Sequence, residues 1–323
     1  MELLRGTAPE ILVALSGFLA LVLDLTLLRQ AELSRRFHSA MAIACAGCVL
    51  AALVLAATHG QGRLPDGMWV SNPLVRLVQM ALLGLALLVF LLSGAARFTT
   101  HVGEYFSLML FATTAMMFLV STQNLLVIFL TIEFLSLSLY ILTGFDKRSP
   151  RSAGAALKYF LFGGMSAGFL LFGISLLYGF SGSIALGQIA AALGRFPQDP
   201  ILIVAMVMVV AGFAFKLAAA PFHMWAPEAY QGAPTWSAAF IASSSKVASF
   251  FALFLVVYLG LMGAAGSADW HGYSVGWAPL LAVLAAISML WGNLAAIAQT
   301  SLRRLLAYSA TGHAGYMLIA LVT

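Results

Sequence analysis

Three ionisable residues stand where the surrounding sequence is otherwise soluble only in hydrocarbon. They are Glu133 in LLVIFLTIEFLSLSLYILTGF, Lys216 in ILIVAMVMVVAGFAFKLAAA, and Lys246 in the apolar run that follows. A charge at membrane depth costs several kcal/mol unless it is partnered, and such groups default to functional candidates. Glu133 lies about eight residues into its run, roughly 12 Å from one end at ~1.5 Å per residue. Five positions after Lys216 comes Pro221, which has no N–H to give to the carbonyl of Leu217 and whose ring crowds it. The helix is predicted to break at Pro221, leaving Lys216 beside freed backbone polarity. Half-helix ends that face a cavity are a recurrent way to build ion sites in membranes. The cations inside apolar runs, Lys158, Lys216 and Lys246, are all lysines. A buried lysine can give up its proton and arginine effectively cannot. Burial in general favours a neutral amine and a nearby carboxylate favours a charged one, so a movable Glu133–Lys216 pair is a proton switch.

Each of these residues also has a plainer reading. Glu133 and Lys216 form a static ion pair that fixes helix order. The hydroxyls of Ser243, Ser244 and Ser245 satisfy Lys246, and Lys158, about five residues inside its helix, snorkels to the inner surface. His223 in PFHMWAP either relays protons or caps freed carbonyls. His313 reads as a packing histidine and Asp24 as a partner of Arg29. Cys45 and Cys48 share a helix face among small residues, without the basic neighbour or further ligands that redox or zinc chemistry requires. Gly164 and Gly168 form a G-x-x-x-G that lets helices approach closely.

The elements that must position these groups follow from composition. A hydrophobic fraction of 62%, 8% charged residues and a mean hydropathy of +1.00 exclude a soluble domain. The fold class is an all-α polytopic membrane protein. Ten apolar spans are read at 10–28, 39–58, 73–93, 105–121, 123–144, 154–180, 201–220, 233–262, 277–299 and 304–323. The first is a retained span, because no small-residue cleavage site follows it. With the N-terminus outside, inner loops hold Arg29, Arg35, Arg36, Arg97, Lys147, Arg148, Arg151, Arg303 and Arg304. The outer side holds only Arg5, Arg63, Arg76 and Arg195, which favours this orientation. The basic residues do not cluster with aromatics on one exposed face, so no nucleic-acid partner is expected.

At GFAFKLAAAPFHMWAPEAYQGAP, with Glu133 in TIEFLSLSLYIL and with RRLLAYSATGHAGYMLIAL, the chain resembles subunit N of the proton-translocating NADH:quinone oxidoreductase, respiratory complex I. Sibling antiporter-like subunits L and M and the multisubunit sodium/proton antiporters carry a P-L-H-T-W-L-P-D-A-H form after the lysine helix, so the tyrosine-glutamine-glycine here favours subunit N. A multisubunit cation/proton antiporter is the alternative, and a purely structural membrane anchor gains nothing from buried charge. The resemblance implies an antiporter-like fold in one transmembrane domain: three N-terminal helices over 1–100, a complete inverted repeat of helices four to eight over 101–262, and the start of a second over 263–323. It implies that Glu133 tunes the proton affinity of Lys216, that Lys246 passes protons toward the centre of the subunit, and that Lys158 belongs to the same polar axis. His223, from its place directly after the break, and Pro221, as the break itself, complete the candidate site.

The resemblance further implies a non-redox translocase subunit in a bacterial inner membrane or its equivalent, surrounded by lipid, with other membrane-arm subunits as partners. No cofactor or metal is expected in this chain; NADH, flavin, iron–sulfur clusters and quinone belong to partner subunits. No lysine follows Lys246, and the proline at 279 opens a span, so a second broken helix with its own central ionisable residue is not found. The chain is therefore expected to be a C-terminally truncated portion of a longer polypeptide.

Overall fold

The computed structural model describes residues 6–58, 62–94, 98–193 and 199–322. Arg5, Arg97 and Arg195, used above to orient the chain, lie outside them. Among the described residues there are ten helical segments long and apolar enough to cross a membrane, each at a place where the sequence predicts one. They are α1 (Ala8–Leu25), α2 (Leu33–Ala57), α3 (Pro73–Ser93), α4 (Val102–Val120), α5 (Leu125–Thr143) and α6 (Pro150–Ser181), followed by the amphipathic α7 (Leu186–Leu193). Next come α8 (Pro200–Leu217), α9 (Trp225–Gly232), α10 (Thr235–Ala242) and α11 (Ser244–Leu255), then α12 (Trp277–Ile297) and α13 (Leu302–Val322). The eighth span is built from α10, α11 and a π turn at Val256–Gly260.

Helix starts follow local chemistry. Asn72, Asn124, Ser149 and Asp199 each accept a backbone N–H from the first turn of α3, α5, α6 and α8. Proline follows Asn72, Ser149 and Asp199 at the first helical position, where its missing N–H costs nothing. Two short strands, β1 (Gly62–Arg63) and β2 (Val70–Ser71), pair antiparallel between α2 and α3. That hairpin is tied in by Val70 N–H donating to Ser121 O at 2.6 Å and Gln123 N–H to Gly67 O at 2.8 Å.

Helix α4 is the most buried of the spans, α11 of the eighth span packs on it, and α8 packs on α6 and α11. Sites of close helix approach differ from the G-x-x-x-G expectation. Gly164 and Gly168 face open space, one helical phase away from the contact. Gly163 instead takes the Tyr140 hydroxyl, and Gly173 meets Met208 and Val209 of α8, where a Cβ would lie 2.9 Å from each. Helices α12 and α13 cross closely at Gly292, Gly312 and Gly315.

Asp24 also departs from expectation. Its carboxylate takes Arg36 in two hydrogen bonds of 2.7 and 2.6 Å and the Gly103 N–H at 2.8 Å, so Arg29 is not its partner. The carboxylate is 1% exposed and joins the end of α1 to the starts of α2 and α4. Replacing one partner of a buried pair strands the other charge. Asp24→Ala is therefore expected to lower stability by about 3 kcal/mol, seen as a lower melting temperature in detergent. An unchanged melting temperature would mean that the three helices do not depend on this junction.

Candidate proton-transfer site

The site is built around the break after α8. Ala218 takes a left-handed conformation at φ 56° and ends the helix one turn after Phe215, and α9 starts only at Trp225. The peptide between Ala220 and Pro221 is cis. Backbone groups freed inside hydrocarbon must be satisfied by protein, and side chains reach three groups at this break, of which the Phe215 carbonyl also keeps the Ala218 N–H at 2.9 Å. Phe215 O accepts the Trp225 Nε1–H at 2.8 Å. Leu217 O accepts from Lys246 Nζ at 2.6 Å. Ala220 N–H donates to Ser288 Oγ of α12 at 2.9 Å.

The two lysines thus take roles that the sequence did not assign. Lys216, not Lys246, was expected beside the freed carbonyls, yet the Leu217 carbonyl goes to Lys246. Lys216 reaches back to α5 and donates to the hydroxyl of Ser136, which donates in turn to Ile132 O. Ser136 lies one turn after Glu133 on the same face of α5. Lys216 and Glu133 make no direct contact, so the static ion pair is absent and the half-buried carboxylate acts on the amine through space. The Lys216 ammonium position also lies 5.8 Å from the Tyr140 ring centre. Both lysines are nearly buried, at 7% and 6% exposure.

The serines beside Lys246 do not hold it. Ser243 and Ser245 return their hydroxyls to Ala239 O and Ile241 O. Instead Ser243 interrupts the eighth span with φ −105° and ψ −81°, a second irregularity the sequence reading missed. The three hydroxyls competing for backbone bonds were its signal. Lys158 stands apart from this centre, with a 55% exposed side chain paired to Glu228 at 3.1 Å. His223 is buried, its Nδ1 without a hydrogen-bond partner of good geometry, and its ring lies 6.2 Å from Trp291 and 6.0 Å from Tyr308. The ring interacts with the Pro221 backbone in the break, while Trp225 and Lys246 take the Phe215 and Leu217 carbonyls. His313, read as packing, lies exposed with Nδ1 against Ser309 O.

Residues 122–323 match the family described as NADH:quinone oxidoreductase/Mrp antiporter, transmembrane. The chain belongs to this family. It is 57% identical to NADH-quinone oxidoreductase subunit N 2 of Acidobacterium capsulatum, over 99% of this chain and 66% of that one. To subunit N of Methylovorus glucosotrophus it is 38% identical over 98% of this chain and 64% of the relative. The chain spans about two thirds of the length of these relatives. Among solved structures it is similar to respiratory complex I from Thermus thermophilus with bound aureothin, at a TM-score of 0.77 and 32% identity, covering 97% of this chain and 64% of that one. The Mrp complex from Dietzia sp. DQ12-45-1b shares the fold at a TM-score of 0.76 and 20% identity, over 99% and 59% of the two chains. The family accounts for the antiporter-like arrangement of the helices.

Of the groups that satisfy the break, Ser288 was invisible to the motif reading, although a lone hydroxyl in the middle of an apolar helix was a signal. Ser288→Ala leaves a buried N–H without a partner and is expected to cost ~1–3 kcal/mol. The check is the melting temperature in detergent, and a value equal to wild type would mean that the Ala220 amide is satisfied elsewhere.

Proposed function

We propose that this chain is a proton-translocating membrane subunit of a complex I type NADH:quinone oxidoreductase. One observation carries the reading. Two nearly buried lysines flank a broken helix, and each is held by a neutral oxygen, with a carboxylate close to one of them but out of contact. An amine held by a hydroxyl or a carbonyl keeps a partner whether or not it carries its extra proton. Glu133 then biases the charge of Lys216, and Lys246 receives the proton across the break. Both lysines meet at the end of α8, one through its own side chain and the other through the Leu217 carbonyl.

In this reading the chain is a non-redox translocase subunit. Quinone reduction in partner subunits drives the cycle, and flavin, iron–sulfur clusters and the quinone site belong to those partners. Other membrane-arm subunits and lipid are its neighbours in a bacterial inner membrane. The orientation with the N-terminus outside is supported by the gathering of Arg36, Lys147, Arg148, Arg151, Arg303 and Arg304 at one end of the bundle, against Arg63 and Arg76 at the other. The higher identity to subunit N relatives than to the Mrp neighbour favours this over a cation/proton antiporter.

Glu133→Gln and Lys216→Ala are each expected to impair pumping while the complex still assembles, because assembly rests on apolar packing elsewhere. Lys216→Arg is expected to be nearly as harmful as Lys216→Ala, since arginine keeps charge but does not release its proton. The proton-to-electron ratio in reconstituted vesicles decides both. Wild-type pumping with Glu133→Gln and Lys216→Ala combined would remove the switch assignment, and full activity of Lys216→Arg would show that charge alone matters.

A further inference from the structure

Glu228, in the first turn of α9, is a single carboxylate shared by two cations from different parts of the bundle. Its Oε2 takes Lys158 Nζ of α6 at 3.1 Å and its Oε1 takes Arg304 Nη1 of α13 at 3.0 Å. Arg304 also donates to Gln299 at 3.2 Å and Gln231 at 3.4 Å. The neighbouring Arg303 caps the end of α9 by donating to Gln231 O and Ala233 O, and it donates to Thr235 as well. The half-helix after the break is thereby tied to the sixth and tenth spans together.

From α9 a run of rings leads to Lys216. Trp225, in the first turn of α9, stacks on Tyr159 with ring centres 4.1 Å apart and planes 3° from parallel. Tyr159 is the residue after Lys158. It meets Tyr140 edge-on at 4.7 Å, and Tyr140 is the ring 5.8 Å from the Lys216 ammonium. The same Trp225 holds the Phe215 carbonyl in the last turn of α8. Tyr159 and Trp225 are almost wholly buried, so a shift of α9 displaces the stack rather than solvent.

We propose that Glu228 is a positioning residue: by bridging Lys158 and Arg304 it pins α9, and through the Trp225–Tyr159–Tyr140 stack it sets the place of Lys216 at the break. The pumping consequence rests on the function proposed above; the pinning does not. Charge arithmetic gives the latch a signature. One carboxylate serves two cations, so losing either cation leaves a pair, whereas losing the carboxylate leaves two cations facing each other.

The experiment compares Glu228→Gln, Glu228→Asp, Lys158→Met and the double variant Glu228→Gln/Lys158→Met in the assembled complex in lipid vesicles. Amide hydrogen exchange over 225–232 is measured together with the proton-to-electron ratio, with Lys216→Ala as the control for the pumping reading. In Glu228→Gln, exchange over α9 is expected to rise about threefold or more, within what a partly exposed charge network supports, and pumping to fall severalfold. Lys158→Met is expected to do less and Glu228→Asp to keep much of both, whereas the double variant, which also lacks the bridge, is expected to stay loosened. Wild-type exchange in Glu228→Gln, or in the double variant, would overturn the latch. Raised exchange with undiminished pumping would overturn its positioning of Lys216, provided that Lys216→Ala impairs pumping. If Lys216→Ala also pumps normally, the proposed function fails and the exchange result still decides the latch.

Discussion

The arrangement depends on the backbone that leaves helical pairing between Phe215 and Pro221. In hydrocarbon an orphaned carbonyl or amide costs several kcal/mol, and no solvent is there to relieve it. The chain meets that cost with side chains from three directions: Trp225 from the half-helix beyond the break, Lys246 from the eighth span, and Ser288 from the ninth. Each contact also fixes where an element sits. Satisfying the break and assembling the site are therefore one physical act, and the groups with most chemistry converge on the weakest stretch of backbone.

This explains why the broken helix can be both irregular and well held. Trp225 spans the gap directly, bonding the last turn of α8 while stacking on α6 through Tyr159. The ring series Tyr140, Tyr159, Phe215 and Trp225 fills the space around the break with stiff side chains that have few rotamers to lose. Gly163 makes this possible, because any side chain there would occupy the position of the Tyr140 hydroxyl.

Much of this was legible in the sequence, and the residues show where legibility stops. Length and hydropathy located all ten spans, and the chemistry of Pro221 located the break and named the Leu217 carbonyl as freed. Partnership was not legible. Asp24 chose Arg36 over the nearer Arg29, because the turn between α1 and α2 brings the second helix's first turn back beside the first helix's last. The packing glycine was Gly163 and not Gly164 or Gly168, a difference of helical phase that an apolar helix with little amphipathic contrast does not reveal. Lys216 found Ser136, 80 positions away in the chain, and only the folded bundle sets that distance.

The way each charge is held separates the charges that fasten helices from those proposed to switch. Asp24 with Arg36, and Glu228 with Lys158 and Arg304, are contact ion pairs. In such a pair each partner stabilises the other's charged form, so the pair resists proton transfer and serves to fasten helices. At the break the partners are neutral, a serine hydroxyl for Lys216 and a backbone carbonyl for Lys246. A hydroxyl can accept from an ammonium or turn to donate to a free amine, and a carbonyl accepts a hydrogen bond from either form. Neither partner therefore forces one protonation state. A more distant carboxylate such as Glu133 can then decide the charge by its field alone, which direct contact would have locked.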